Sequence, residues 1–157
     1  MAIDPGGNIW VADSGHNRVL EFNSERKYVR QFGTEGTGEG QFKGIRGIAT
    51  NAAGDVYVTG SSRVQEFSPT GAYLRQFGSV GTGNGQFHLP TGIASDPTTG
   101  NLYVADNGNN RIEAFSSAGA FIAVFGSAGS GAGQFSGPGG VAVGSTGKGF
   151  ILSLIHI

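Results

Sequence analysis

Residue types able to do chemistry are sparse in this chain, and their placement argues against a catalytic centre. The three histidines, His16, His88 and His156, stand at three different repeat positions and lack the close spacing of metal-ligand pairs. His16 lies near Asp13 and Ser14, but three neighbours on one turn are poorly placed to act as nucleophile, base and orienting group. No Gly-x-Ser-x-Gly elbow occurs. Gly144-Ser145-Thr146-Gly147-Lys148-Gly149 imitates a phosphate loop, yet its glycines are too close and no Ser or Thr follows Lys148. No catalytic residue, metal ligand or cofactor is expected.

The remaining polar signals recur. Asp13 with Arg18, and Asp106 with Arg111, bracket the same short turn in two copies. Recurrence in equivalent places favours a structural ion pair, because catalysis needs one centre and not one per repeat. A glycine-rich stretch recurs three times, as QFGTEGTGEGQF at 31–42, QFGSVGTGNGQF at 76–87 and VFGSAGSGAGQF at 124–135. A dinucleotide loop is needed once and sits between a strand and a helix. Three copies require an architectural reason.

The period supplies it. Phe32, Phe77 and Phe125, each followed by Gly, are spaced by 45 and 48 residues, and Gln41, Gln86 and Gln134, each followed by Phe, repeat both intervals. Arg18, Arg63 and Arg111 repeat them again. Self-similarity at this period marks a blade or solenoid unit. Each unit reads as four short strands. The first is Gly-Ile-Ala-Thr at 47–50, Gly-Ile-Ala-Ser at 92–95 and Gly-Val-Ala-Val at 140–143, with only Ala2-Ile3 in unit one. The second covers 9–12, 56–58 and 102–105; the third 18–22, 63–67 and 111–115; the fourth 28–32, 72–77 and 121–125. These are β-branched and aromatic runs joined by Gly, Pro, Asn and Ser turns, with no apolar stripe of helical period. Four antiparallel strands per unit describe a propeller blade. The glycine-rich stretch is then the crossing from the outer strand of one blade to the inner strand of the next. Asp4, Asn51 and Asp96 stand where the first strand ends. They are the candidate channel-facing residues, against the reading of an Asx turn closing over the segment that follows.

Composition agrees with a turn-rich β protein. Charged residues are only 13 %, and the polar load falls on Gly, Ser, Thr, Asn and Gln, with 30 glycines in register with aromatics. A net charge of −1 predicts neither a nucleic acid nor an anionic membrane as partner, and no apolar run approaches a membrane span of ~20 residues. The absence of cysteine excludes disulfides and thiolate metal sites. Arg26, Lys27, Arg30, Lys43 and Arg46 make unit one locally basic, but Glu21, Glu25, Glu35 and Glu39 share it, without aromatics interleaved for base stacking.

Together these residues resemble the NHL repeat family, whose pattern runs Gly-Gln-Phe, Pro-x-Gly-Ile-Ala, Asp-x-x-Gly-Asn-Leu-Tyr-Val-Ala-Asp, Asn-Asn-Arg-Ile and Phe-Gly. Unit three carries nearly all of it, at Gly85-Gln86-Phe87, Pro90 to Ala94, Asp96, Gly100 to Asp106 and Asn109 to Ile112. Unit two departs: six positions separate Tyr57 from Arg63, where Trp10 and Tyr103 stand eight before their arginines, and it lacks the Asp of Asp13 and Asp106. A tighter hairpin is expected there. The resemblance implies blades of a propeller that usually closes with about six. The expected fold is therefore all-β, a β-propeller fragment of about three and a third four-stranded antiparallel blades, with units 2–47, 48–92, 93–140 and a partial 141–151. The final residues 152–157 match a translated transposon-end sequencing adapter and are expected to be non-native.

The function expected from this reading is non-enzymatic: a rigid loop surface binding a protein, peptide or glycan, beside the remaining propeller blades. The alternative is a metal-dependent lyase or lactonase on the same architecture, its ligands outside these residues. A third reading is RNA binding. The Gly-, Ser- and Thr-rich, Lys-poor composition looks like that of a bacterial extracytoplasmic or secreted protein.

Overall fold

The computed structural model describes residues 1–144 and, as a strand backbone, 149–153. Residues 145–148 and 154–157, and with them most of the phosphate-loop mimic and His156, lie outside the described residues. Three sheets of four antiparallel strands follow one another, each ordered as in the sequence. Blade one comprises Ala2–Ile3, Ile9–Asp13, Arg18–Phe22 and Tyr28–Phe32. Blade two comprises Gly47–Thr50, Val56–Gly60, Arg63–Phe67 and Tyr73–Phe77. Blade three comprises Pro90–Ser95, Leu102–Asp106, Arg111–Phe115 and Phe121–Phe125. Pro138–Val143 then pairs antiparallel with Gly149–Ser153. One 3-10 turn, Asn107–Asn109, is the only helical element among the described residues.

First strands of successive blades lie side by side, stitched by hydroxyls from first strands and, at Thr59, from a second strand. Thr50 Oγ1 donates to the Ile3 carbonyl at 3.0 Å, Thr59 Oγ1 to the Thr91 carbonyl at 2.6 Å, and Thr91 Oγ1 to the Pro138 carbonyl at 3.0 Å. That close approach makes them the inner strands.

The core is a wedge between each pair of sheets. Trp10, Val19, Phe42, Ile45, Ile48, Val56, Val58 and Phe67 fill the first wedge, and Ala49, Tyr57, Val64, Phe87, Ile93, Leu102, Val104 and Phe115 the second. Alternation along the second strand of blade two explains why both its parities are apolar: Val56 and Val58 pack toward blade one, while Tyr57 packs toward blade three. The landmark aromatics interlock across the junctions. Phe32 meets Phe67 at 4.6 Å between ring centroids, and Phe77 meets Phe115 at 4.9 Å; Phe42 and Phe87 close on the same rings at 5.7 and 5.5 Å. The first two Phe-Gly pairs thus each deliver one ring to the next blade, whereas the Phe125 ring meets Tyr103 of its own blade.

The glycine-rich crossings are more structured than flexible links. In each, two residues after the Phe-Gly pair form a short parallel bridge with the Gln-Phe pair: Thr34–Glu35 with Gln41–Phe42, Ser79–Val80 with Gln86–Phe87, and Ser127–Ala128 with Gln134–Phe135. The sequence pattern contains no signal for a two-residue parallel bridge, which loop closure alone creates. The glycine of the Phe-Gly pair is required twice over. Gly33, Gly78 and Gly126 have φ of 96°, 88° and 85°, and a Cβ there would run into the ring of Phe42, Phe87 or Phe135.

Candidate functional site

Two faces of the blades carry the loops. The hairpins joining second to third strands, at 14–17, 61–62 and 107–110, share one face with the crossings, because Gly44 N donates to Asn17 Oδ1 at 3.0 Å and Gly137 N to Asn110 Oδ1 at 2.8 Å. The turns after first and third strands share the opposite face.

On the hairpin-and-crossing face, each crossing is tied by its own glutamine. Gln41, Gln86 and Gln134 Oε1 accept from the backbone of Gly38, Gly83 and Gly131 at 3.0, 3.0 and 2.9 Å. The arginine of the following blade then clamps the crossing. Arg63 donates to the carbonyls of Thr37, Gly38 and Gln41 at 2.6, 2.8 and 3.0 Å. Arg111 does the same to Thr82, Gly83 and Gln86 at 2.6, 2.7 and 2.9 Å. Two positions further along the strand, a second side chain holds the other end: Gly40 N donates to Gln65 Oε1 at 2.9 Å and Gly85 N to Glu113 Oε2 at 2.8 Å. A guanidinium suits this work because its fixed fork of donors matches several carbonyls at once.

Asp–Arg pairs form in two blades. Asp13 accepts from Arg18 Nε at 2.8 Å and Asp106 from Arg111 Nε at 3.1 Å. Bonding to Arg18, with His16 behind it, holds the Asp13 carboxyl below its ordinary value. In blade two the register-equivalent of these aspartates is Gly60, and the Arg63 Nε is buried without a partner among the described residues. Burial raises the Glu113 carboxyl above its ordinary value, against the Gly85 amide and Arg111, to which it is also ion-paired.

Asp4, Asn51 and Asp96 are gathered on the opposite face, where their side chains turn back into their own turns. Asp4 accepts from the Asn8 amide and side chain at 2.9 Å and from Trp10 Nε1 at 3.1 Å. Although its burial opposes ionisation, those bonds hold its carboxyl below the ordinary value. Asn51 Oδ1 accepts from Ala53 N and Asp55 N, both at 2.9 Å. Asp96 accepts from Thr98 N at 2.8 Å and Thr99 Oγ1 at 2.7 Å, which lower its carboxyl likewise. Among the described residues no three His, Cys, Asp or Glu side chains converge on a point able to hold a metal ion, and no helix is long and apolar enough to cross a membrane.

The basic residues of unit one do not form one patch. Arg30 pairs with Glu21 at 2.7 Å and Lys27 with Glu25 at 2.8 Å, in and beside the 23–27 turn that also carries Arg26. Lys43 and Arg46 stand at the crossing, on the other face. Sequence reasoning missed the buried carboxylates Glu21, Glu66 and Glu113 and the Tyr57–Glu66–Arg75 network, in which Tyr57 donates to Glu66 at 3.0 Å. Burial and then the neighbouring Glu66 push the Tyr57 hydroxyl up to about 12. One signal was present: Arg63 persists in unit two although its aspartate is gone, as a residue would if it served the crossing.

Comparison with known proteins agrees with this geometry. The NHL repeat pattern matches residues 1–22 and 87–115. RING finger protein nhl-1 of Caenorhabditis elegans is 41% identical over 46 residues, which is 29% of this chain and 5% of that protein. Among solved structures, a chain of a nidogen–laminin complex superposes with a TM-score of 0.74 at 18% identity, over 97% of this chain and 55% of that one. A streptogramin B lyase superposes with a TM-score of 0.73 at 17% identity, over 96% and 46%. The hydrazine synthase of Kuenenia stuttgartiensis gives 0.71 at 17%, over 94% and 39%. This chain therefore spans a small part of that curated relative and about half or less of those structures. With the repeat, the blade order and the interlocked aromatics in place, the chain carries NHL repeats at residues 1–22 and 87–115 and folds as β-propeller blades.

Proposed function

We propose that this chain is a non-enzymatic interaction module that binds a protein, peptide or glycan on the hairpin-and-crossing face of its blades. The observation that carries the reading is the wiring of that face. Every crossing is held by a glutamine from within, and the first two also by an arginine and a Gln or Glu from the next blade. Loops fixed in this way present backbone and side chains in set positions and lose little entropy on binding. The charged groups that suggest chemistry, Asp13, Arg18, Asp106, Arg111 and Glu113, are engaged in that wiring. A similar fold occurs in a nidogen–laminin complex, an assembly of proteins, and another in a lyase; at such identity these share the fold, and function rests on the site.

The test immobilises the full chain against peptide and glycan arrays, with and without a chelator. The expected result is saturable binding indifferent to chelation and weakened at least about tenfold by lysine substitutions at the exposed crossing tips Glu39 and Asn84. Blank arrays would overturn the reading. So would a ligand that is converted to product, or one held only in the presence of a divalent ion, either of which points to the enzyme alternative.

A further inference from the structure

The three crossings end on equivalent residues two positions beyond their phenylalanines: Gly44, Leu89 and Gly137, with φ of 73°, 55° and 60°. In two of them the backbone N–H at this point is satisfied by the asparagine that ends the preceding hairpin, Asn17 for Gly44 and Asn110 for Gly137. At the third, Ser62 stands in place of asparagine, and the Leu89 N–H has no hydrogen-bond partner among the described residues. Leucine in the left-handed region is strained, and backbone strain of this kind gathers at functional sites.

The missing side chain and the shortened blade-two hairpin leave a recess of about 110 Å³, lined by Lys43, Gly44, Arg46, Ser61, Ser62, Leu89 and Pro90. Neither Lys43 nor Arg46 is ion-paired among the described residues. The Leu89 N–H, unpartnered among the described residues, and the cationic residues Lys43 and Arg46 thus line one recess at the junction equivalent to those that receive an asparagine oxygen. A carboxylate oxygen reproduces that acceptor and adds the charge that the two cations lack.

We propose that this recess binds the carboxylate of a peptide ligand, a specification that rests on the interaction-module reading. The Leu89 N–H and the Arg46 guanidinium donate to its oxygens, and Lys43 supplies charge at the rim. The recess is too small for a larger group, so it acts as an anchor point, with the rest of the peptide lying across the face.

The test follows the Leu89 amide by ¹H–¹⁵N NMR in the full chain during titration with acetate, and with inorganic phosphate at matched ionic strength. The expected result is a saturable downfield shift at Leu89 in the millimolar range, with Gly137, which lies outside the recess and is already bonded to Asn110, unmoved. Ser62→Asn supplies the sister junctions' acceptor in a backbone conformation that Asn17 and Asn110 already adopt, so it should fold and weaken acetate at least about tenfold. N-acetylglycine and N-acetylglutamate amide then distinguish a terminal from a side-chain carboxylate, and tighter binding of either supports the assignment. No saturation at Leu89, undiminished binding in Ser62→Asn, or tighter binding of phosphate than acetate would overturn it. If acetate fails while array ligands still bind, the recess assignment falls and the module reading stands. Acetate binding beside blank arrays does the opposite: the recess stands as a carboxylate site and the module reading falls.

Discussion

The hairpin of blade two, Gly60–Arg63, and that of blade three, Asp106–Arg111, join the same strands of the same repeat but hold their arginines differently. Blade three uses four turn residues. Its Asp106 is buried and accepts from His88 N at 2.7 Å, Asn109 Nδ2 at 2.6 Å and Arg111 Nε at 3.1 Å. Blade two turns in two residues, Ser61 and Ser62, with φ of 52° and 58°, the conformation of a type I′ hairpin. It has no carboxylate, and its Arg63 Nε has no partner among the described residues. Both arginines nevertheless clamp the crossing before them through three carbonyl bonds. The difference teaches that the arginine belongs to the crossing first and to the aspartate second.

The largest effect should separate the two clamps. Arg111→Ala removes the carbonyl bonds and strands two buried carboxylates, Asp106 and Glu113, and should cost about 4 kcal/mol. Arg63→Ala strands none and should cost about half that, through the carbonyl bonds alone. Denaturant unfolding of the full chain checks both, and equal losses would show that the carboxylates add nothing.

Asp106→Ala comes next, at about 3 kcal/mol, because it leaves Arg111 Nε, Asn109 and the His88 amide short of an acceptor. The same change at the more exposed Asp13 should cost clearly less. A reversed order would break the account of blade three as the buried version of the motif.

Glu113→Gln sharpens the comparison from the other side, since Gln65 already performs this task in blade two. A carboxyl raised on folding favours its protonated form, so its contribution falls as pH rises from the ordinary carboxylate range through the raised value, and stays lower above it. The variant should lose that slope and differ from wild type at pH 7 by no more than about 1 kcal/mol. Asp4 and Asp96, depressed on folding, act oppositely: their contribution is present above the ordinary value and lost as pH falls through the depressed one. Thermal unfolding across pH 3–8 in both chains checks the sign, and an unchanged slope in the variant would assign the dependence elsewhere.

The smallest effect should come from Ser62→Gly, which relieves a left-handed serine and should add about 0.5–1 kcal/mol, read as a rise in Tm. A lower Tm would mean that the serine makes contacts that outweigh its strain.

Most of the fold was legible in the residues alone. Strands appeared within a residue or two of their places, because alternating β-branched and aromatic runs between Gly, Pro and Asn turns have no other stable reading. The Phe-Gly and Gln-Phe pairs announced the junctions, though not that one ring belongs to the next blade's core. The site was less legible. Nothing local to Glu113 marks it as the acceptor for Gly85, 28 residues away. Nothing local to Leu89 tells that its amide lacks a partner among the described residues, since the partner of its sisters lies 27 residues earlier.

What the sequence determined by itself was periodic and short-range: strand identity, turn positions, the repeat, and a two-residue deficit in one hairpin. Patterns of this kind are written in neighbouring residues, where backbone sterics and side-chain alternation act. What only the tertiary structure decided was who answers whom across a junction. Arg111 and Glu113 meet a crossing from the preceding blade, and Asn17 meets the start of the following one. Those pairings depend on two sheets closing on a shared apolar wedge, and only that closure determines which donors find acceptors and which, at Leu89 and Arg63, find none among the described residues.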